Sequence, residues 1–217
     1  RTPSSAASDV YKRQLNGCVP SDRLDKCIQD ITKWHGDAKF CVISGDLSEF
    51  AEKGAYKSLK KKLLEFQIPC FLMIGNHDDR DLFQSVFKNN PCDENKFVQS
   101  SFETDDRVFI FLDTKKQGKN VHDGELCENR LDWLKKQIIN SGNKPTYLFM
   151  HHPPFDIGIP YMDNIRLFGS DQFLSTLSHG KNIQHIFYGH VHRLTFVKWH
   201  GYTLSLIHIS EPTRRAL

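Results

Sequence analysis

Four short polar runs in this 217-residue chain hold residues that can bind metal ions or move protons: Gly45-Asp46, Gly75-Asn76-His77-Asp78, His151-His152-Pro153-Pro154 and Gly189-His190-Val191-His192. Together they offer a carboxylate, an amide oxygen and several imidazoles, a hard-to-borderline donor set that suits iron, manganese, zinc or cobalt better than calcium or copper(I). One aspartate can bridge two ions through its two oxygens. His190 and His192 stand two apart, so on a continuous strand they would point to opposite sides. They must lie in a turn or serve different ions, and the second arrangement fits a pair of metals. Taken singly, each run has an ordinary explanation. Gly-Asp is a common turn, and a histidine pair before two prolines is accounted for by one buried, hydrogen-bonded imidazole. Four such runs in one chain argue for a site.

Each run directly follows an apolar, β-rich segment: 40–44 (FCVIS), 70–74 (CFLMI), 146–150 (TYLFM) and 183–188 (IQHIFY). A fifth such segment lies at 108–112 (VFIFL). Tyr56, Leu59, Leu63, Leu64 and Phe66 mark a helix, and Leu126, Leu131, Leu134 and Ile138 mark another over about 124–139. Residues 19–31 read as a loop and helix, and 194–197 with 202–204 as a hairpin turning at His200 and Gly201. The alternation of strands and helices is that of a layered α/β domain. In such sheets the carboxyl ends of the strands converge on one crevice, which is where all four runs fall.

With 39% hydrophobic residues the chain supports one sizeable core. It contains no apolar run of about 18 residues and no signal-peptide pattern, so no membrane association is expected. Six cysteines are scattered without a C-x-x-C pair, which reads as reduced thiols in a cytoplasmic protein. The formal net charge of +3 comes entirely from the two ends, and no basic stripe points to a specific nucleic acid partner. Lys60, Lys61 and Lys62 read as a solvated helix face. Residues 1–14 lack hydrophobic periodicity, and the segment from Ser205 starts strand-like and dissolves into a polar tail. Both resemble translated sequencing-adapter peptides, natural disordered termini being the alternative. The domain is therefore expected over 15–204, with 1–14 and 205–217 as non-native tails.

The motifs GD, GNHD, HHPP and GHVH, in that order, resemble the calcineurin-like metallophosphoesterases. GNHDDR, then LDT with GELCENRLDWL, then MHHPPFDIGIPYMDNIRL, resemble more narrowly the class III cyclic-nucleotide phosphodiesterases and their glycerophosphodiesterase relatives. The resemblance implies a four-layer α-β-β-α sandwich around a dinuclear centre. It implies that Asp46 bridges both metals, that Asn76, His151 and His190 complete one ion's shell, and that His192 binds the other. It places His77 against the phosphoryl group with Asp78 orienting it, and His152 behind the ligands. Family members begin with a strand ending in Asp-x-His. No such motif precedes Asp46, Ser8-Asp9-Val10-Tyr11 being the nearest string, so the first strand is expected to be missing and the chain as given to be impaired.

The expected reaction is metal-dependent hydrolysis of a small phosphodiester such as 3′,5′-cyclic AMP. Two ions would activate water and clamp the phosphoryl oxygens. Arg166, in the segment after HHPP, is a candidate phosphate contact, an ordinary surface ion pair being the alternative. A non-catalytic interaction domain on the same fold, or a phosphomonoesterase or nuclease, are the competing functions, and a homodimer is compatible with the sequence.

Overall fold

A computed structural model describes residues 19–118 and 121–207. The 70–74 run follows Pro69, which ends the preceding helical pattern, and its central residues form strand β2 (Cys70–Leu72). That strand pairs in parallel with β1 (Cys41–Ile43), residue for residue from Cys41↔Cys70 to Ile43↔Leu72. Helix α1 (Pro20–His35) precedes β1 and extends past the expected end at residue 31; its first turn tolerates Pro20 because no helical N–H is lost there. Helix α2 (Lys53–Glu65) links β1 to β2 and buries Tyr56 and Leu59. Leu64 falls off that face and is 78% exposed, so it belongs to the surface rather than to the expected apolar stripe. Lys62 pairs with Asp25 of α1, so not all of the lysine run is simply solvated. Helix α3 (Arg80–Val86) follows β2, its start fixed by the Asp79 carboxylate accepting from the Leu82 N–H at 2.8 Å.

The larger sheet has six strands in the order β3 (Ser100–Glu103), β4 (Val108–Phe111), β6 (Thr146–Phe149), β8 (Ile183–Tyr188), β10 (Tyr202–Leu206), β9 (Phe196–Trp199). Its four central strands run parallel, and the two edge strands are antiparallel. Side chains alternate between faces along each strand. Ile110, Leu148, Ile186 and Leu204 face α4 (Glu128–Asn140) and α6 (Ser170–Leu177) in one core. Phe111 and Phe149, with half-buried Phe109, Tyr147 and Phe187, face the other way and meet Phe71 and Met73 of the smaller sheet. A third core joins β1 and β2 to Tyr56 and Leu59 of α2 and Phe83 and Val86 of α3. The layers are therefore helices, small sheet, large sheet, helices, as the sequence implied.

Two further boundaries differ from expectation. The helix expected from about residue 124 starts at Glu128, because Gly124 and Glu125 form β5 and pair with β7 (Leu167–Phe168), leaving Cys127 extended at the helix cap. Strand β10 continues through Leu206, past the expected boundary at Ser205, because Ser205 and Leu206 pair with Phe187 and Tyr188 of β8. A one-turn helix α5 (Pro160–Asp163) lies between β6 and β7. Residues 1–14 and most of the expected C-terminal tail lie outside the described residues. Cys27, Cys41, Cys70, Cys92 and Cys127 are free thiols. Among the described residues no helix is long and apolar enough to cross a membrane.

Candidate metal centre

The turns after β1, β2, β6 and β8 meet at one end of the sandwich. Gly45 has φ 110° and Asp46 φ 53°, a left-handed turn that throws the aspartate back over the strand end. His190 and His192 also have positive φ, at 71° and 49°, costing about 1–3 kcal/mol each, a strain commonly retained at functional sites. Gly75 has to be glycine for contact reasons: a Cβ there would sit 2.2 Å from Asp46 Oδ1 and 2.6 Å from His151 Cε1.

Asn76 Oδ1 lies 3.1 Å from His151 Nε2 and 2.9 Å from His190 Nδ1, while Asp46 Oδ2 lies 3.3 Å from His151 Nε2. His151 Nδ1 donates its proton to the Ser44 carbonyl at 2.8 Å, so in the neutral ring the Nε2 lone pair faces the others. His190 Nε2 is buried and has no hydrogen-bond partner among the described residues. A carboxylate, an amide oxygen and two imidazole nitrogens thus converge, a donor-rich arrangement that a positive charge stabilises. Without a metal, a proton supplies it. Burial disfavours a charged His151, but the Asp46 carboxylate outweighs burial and raises its pKa. Burial likewise acts to raise Asp46, but His151 holds it well below the usual carboxylate range. His190 is pushed down to about 3 by burial and by the His151 charge.

The donor set fits a metal ion. Neighbouring ligands bound at right angles to an ion at about 2.1 Å stand about 3 Å apart, matching the 2.9–3.3 Å separations here. His151, His152 and His190 also form a three-imidazole cluster, with ligand atoms within 4.8 Å of one another. Both ring nitrogens of His152 are nevertheless taken up by hydrogen bonds within the protein. Its Nε2 donates to the His122 carbonyl at 3.2 Å and its Nδ1 accepts from the Thr114 hydroxyl at 2.8 Å. Burial and the two neighbouring imidazoles hold it neutral, well below the ordinary histidine pKa.

The remaining expected residues divide. His77 lies at the rim, its backbone N–H donating to Asp46 Oδ1 at 3.1 Å and its ring Nδ1 donating to the Glu49 carbonyl at 3.0 Å. Asp78 does not orient His77, contrary to expectation. Its carboxylate, 2% exposed, is taken up by the N–H groups of Leu47 and Gly75 and the Tyr56 hydroxyl, at 2.8–3.1 Å. It ties the β1 and β2 turns together from below, and the Glu49 carbonyl orients the ring. Burial and the Asp46 charge push Asp78 up to about 6. His192 is exposed, close enough to His190 for its charge to be felt there. Arg166 is not brought to the cluster: its guanidinium is held by Asp156, the Leu167 carbonyl and the Phe168 ring.

Sequence reasoning missed three contributors. His122 Nδ1 accepts from Asn76 Nδ2 at 3.0 Å, and its ring lies 5.5 Å from that of His77. Lys115 Nζ, buried, donates to the Asn76 carbonyl at 3.0 Å. Asp113, fully buried, receives the Arg80 guanidinium at 2.7 and 3.0 Å and the N–H groups of Val98 and Lys115, fixing the turn that carries Lys115. Asp113 and Thr114 follow β4 as the four polar runs follow their strands, and that position was the available signal.

The sequence profile of the calcineurin-like phosphoesterases matches residues 6–194. A protein of Rhodopseudomonas palustris named "probable cyclic nucleotide phosphodiesterase" is 35% identical over 190 residues, covering 87% of this chain and 69% of that protein. The "probable glycerophosphodiester phosphodiesterase GpdQ" of Arcobacter nitrofigilis is 30% identical, covering 81% of this chain and 64% of its own. The 3′,5′-cyclic adenosine monophosphate phosphodiesterase CpdA of Escherichia coli K12 is 26% identical, covering 74% and 56%. Among solved structures, a dimetal phosphatase from Danio rerio aligns with a TM-score of 0.70 at 15% identity, over 86% of this chain and 78% of that one, a likeness of fold.

Proposed function

Because this chain belongs to the calcineurin-like phosphoesterases, a family of hydrolases, we propose that it cleaves small phosphodiesters, foremost 3′,5′-cyclic AMP, on two metal ions at the strand ends. The observation that carries the proposal is the convergence of Asp46, Asn76, His151 and His190 on one point with their lone pairs inward. The substrate class rests on the names of the relatives, which include cyclic nucleotide and glycerophosphodiester phosphodiesterases.

Asp46, Asn76, His151 and His190 would hold one ion, and His192 would serve the second, with Asp46 offering its other oxygen as the bridge. Iron, manganese, zinc and cobalt all suit these donors. Bound there, such ions polarise phosphoryl oxygens and acidify water. His77 supplies what the ions do not. With Nδ1–H committed to the Glu49 carbonyl, Nε2 carries a proton only in the imidazolium form; from that form it would deliver the proton to the departing oxygen and leave the neutral Nδ1–H ring, a role worth typically about 10²–10⁴-fold. Gly75 lets its turn pack directly against Asp46 and His151, with no room for a side chain between them.

The test is hydrolysis of cyclic AMP, bis(p-nitrophenyl) phosphate and p-nitrophenyl phosphate with added Mn2+, for the wild type and Asn76→Ala. Metal-dependent cleavage of the two diesters, abolished by Asn76→Ala, is expected. Turnover of the monoester alone would move the assignment to phosphomonoesterase.

A further inference from the structure

An asparagine ligand poses a problem that a carboxylate does not. Its amide has an oxygen end that can bind a cation and an NH2 end that cannot, and the two have nearly the same shape. At Asn76 the oxygen end faces His151 Nε2 and His190 Nδ1. Turned over, the amide would present two N–H groups to the metal cluster. Something must hold it one way up.

Among the described residues the NH2 group hydrogen-bonds to His122, whose Nδ1 stands 3.0 Å from Asn76 Nδ2. For that contact to be a hydrogen bond, Nδ1 must be bare and accept. His122 is itself held from behind: its carbonyl accepts from His152 Nε2–H, and His152 Nδ1 in turn accepts from the Thr114 hydroxyl. A continuous chain therefore runs from Thr114 at the end of β4, through His152 at the end of β6, to His122 and then Asn76. The first two links place the His122 backbone, and the Asn76 NH2 group, which can only donate, requires the bare Nδ1 of the ring.

We infer that His122 is a positioning residue that sets which end of the Asn76 amide faces the metal cluster, and so the cluster's affinity for a divalent cation. The inference rests on the metal-centre reading above. It explains why His152, an imidazole fully buried beside two ligands, is engaged at both nitrogens. It also gives His122 a role that no strand-end pattern revealed.

Mn2+ titration of the full chain, with free ion followed by electron paramagnetic resonance, tests this in wild type, His122→Ala, His122→Asn and Asn76→Asp backgrounds. His122→Ala is expected to weaken the tightest Mn2+ site about 10- to 100-fold, the usual range for losing a partner of a metal ligand. Its melting temperature in chelator should stay within about 2 °C of wild type. His122→Asn places an acceptor oxygen near the former Nδ1 and should recover affinity to within about threefold. In the Asn76→Asp background a carboxylate offers an oxygen either way up, so removing His122 should cost less than about threefold. Equal Mn2+ binding by wild type and His122→Ala overturns the inference and leaves the metal centre standing. A wild type that takes up no Mn2+ overturns both. A loss as large in the Asn76→Asp background, or one that asparagine does not rescue, marks a general packing role and also overturns it.

Discussion

The Asp46 carboxylate and the His151 imidazole stand 3.3 Å apart although they leave different sheets, one after β1 of the two-stranded sheet and the other after β6 of the six-stranded one. An ion held between them fastens the two sheets at their strand ends, so metal binding should act on the fold as a whole.

Metal should therefore stabilise the protein. At about 100 times its dissociation constant, Mn2+ is expected to add about 2.7 kcal/mol to unfolding free energy. The increment, read from urea midpoints with and without chelator, should vanish in His151→Ala. A wild-type midpoint indifferent to Mn2+ would count against a folded-state site.

Gly75→Ala should be more damaging than its single added methyl suggests. The Cβ meets Asp46 Oδ1 at 2.2 Å and the Asp46 backbone N at 2.7 Å, so the two turns must part. Destabilisation of about 2–4 kcal/mol is expected together with loss of metal uptake. Gly54, where an added Cβ meets nothing within 4 Å, provides the control.

His77 and Asp78 should separate cleanly in kinetics and stability. His77→Ala is expected to lower kcat about 10²–10⁴-fold with metal content intact. Asp78→Ala leaves the Leu47 and Gly75 N–H groups and the Tyr56 hydroxyl without their acceptor and should destabilise by about 3 kcal/mol or more. Were Asp78→Ala to leave stability unchanged, its place beneath the turns would be wrong.

His185 should make stability fall in mild acid. Burial lowers its pKa in the folded state, so its contribution is fully present above the ordinary histidine value of about 6.5. That contribution is lost as pH falls below that value toward the folded pKa, because protons then bind the unfolded chain more tightly. His185→Gln, which can keep a hydrogen bond to the Ser205 hydroxyl, should reduce the stability difference between about pH 7.5 and about pH 5. Urea denaturation at the two pH values reads it, and an unchanged difference would assign the titration elsewhere.

The meeting of the four polar runs was legible because each begins where an apolar strand stops, and a strand end in a parallel sheet is a fixed place in space. The role of Asp78 was not. Adjacency suggested that it serves His77, but the turn directs the two side chains oppositely, one to the rim and one into the layer beneath. His122 was hidden for another reason: it follows no strand, and its partners Asn76 and His152 lie 46 positions before it and 30 after it. The late start of α4 reflects pairing of Gly124 with Leu167, a partner that no local period reveals. Fold layers follow from periodicity, whereas the contacts that orient ligands depend on loops.

Asn76 and His190 touch although they stand 114 positions apart in the chain. Such a contact closes only after both sheets have formed and stacked, so no isolated hairpin or half-domain can offer the ion its full set of donors. Capture of metal during refolding is then a late event, and its rate reports how quickly the two sheets find one another.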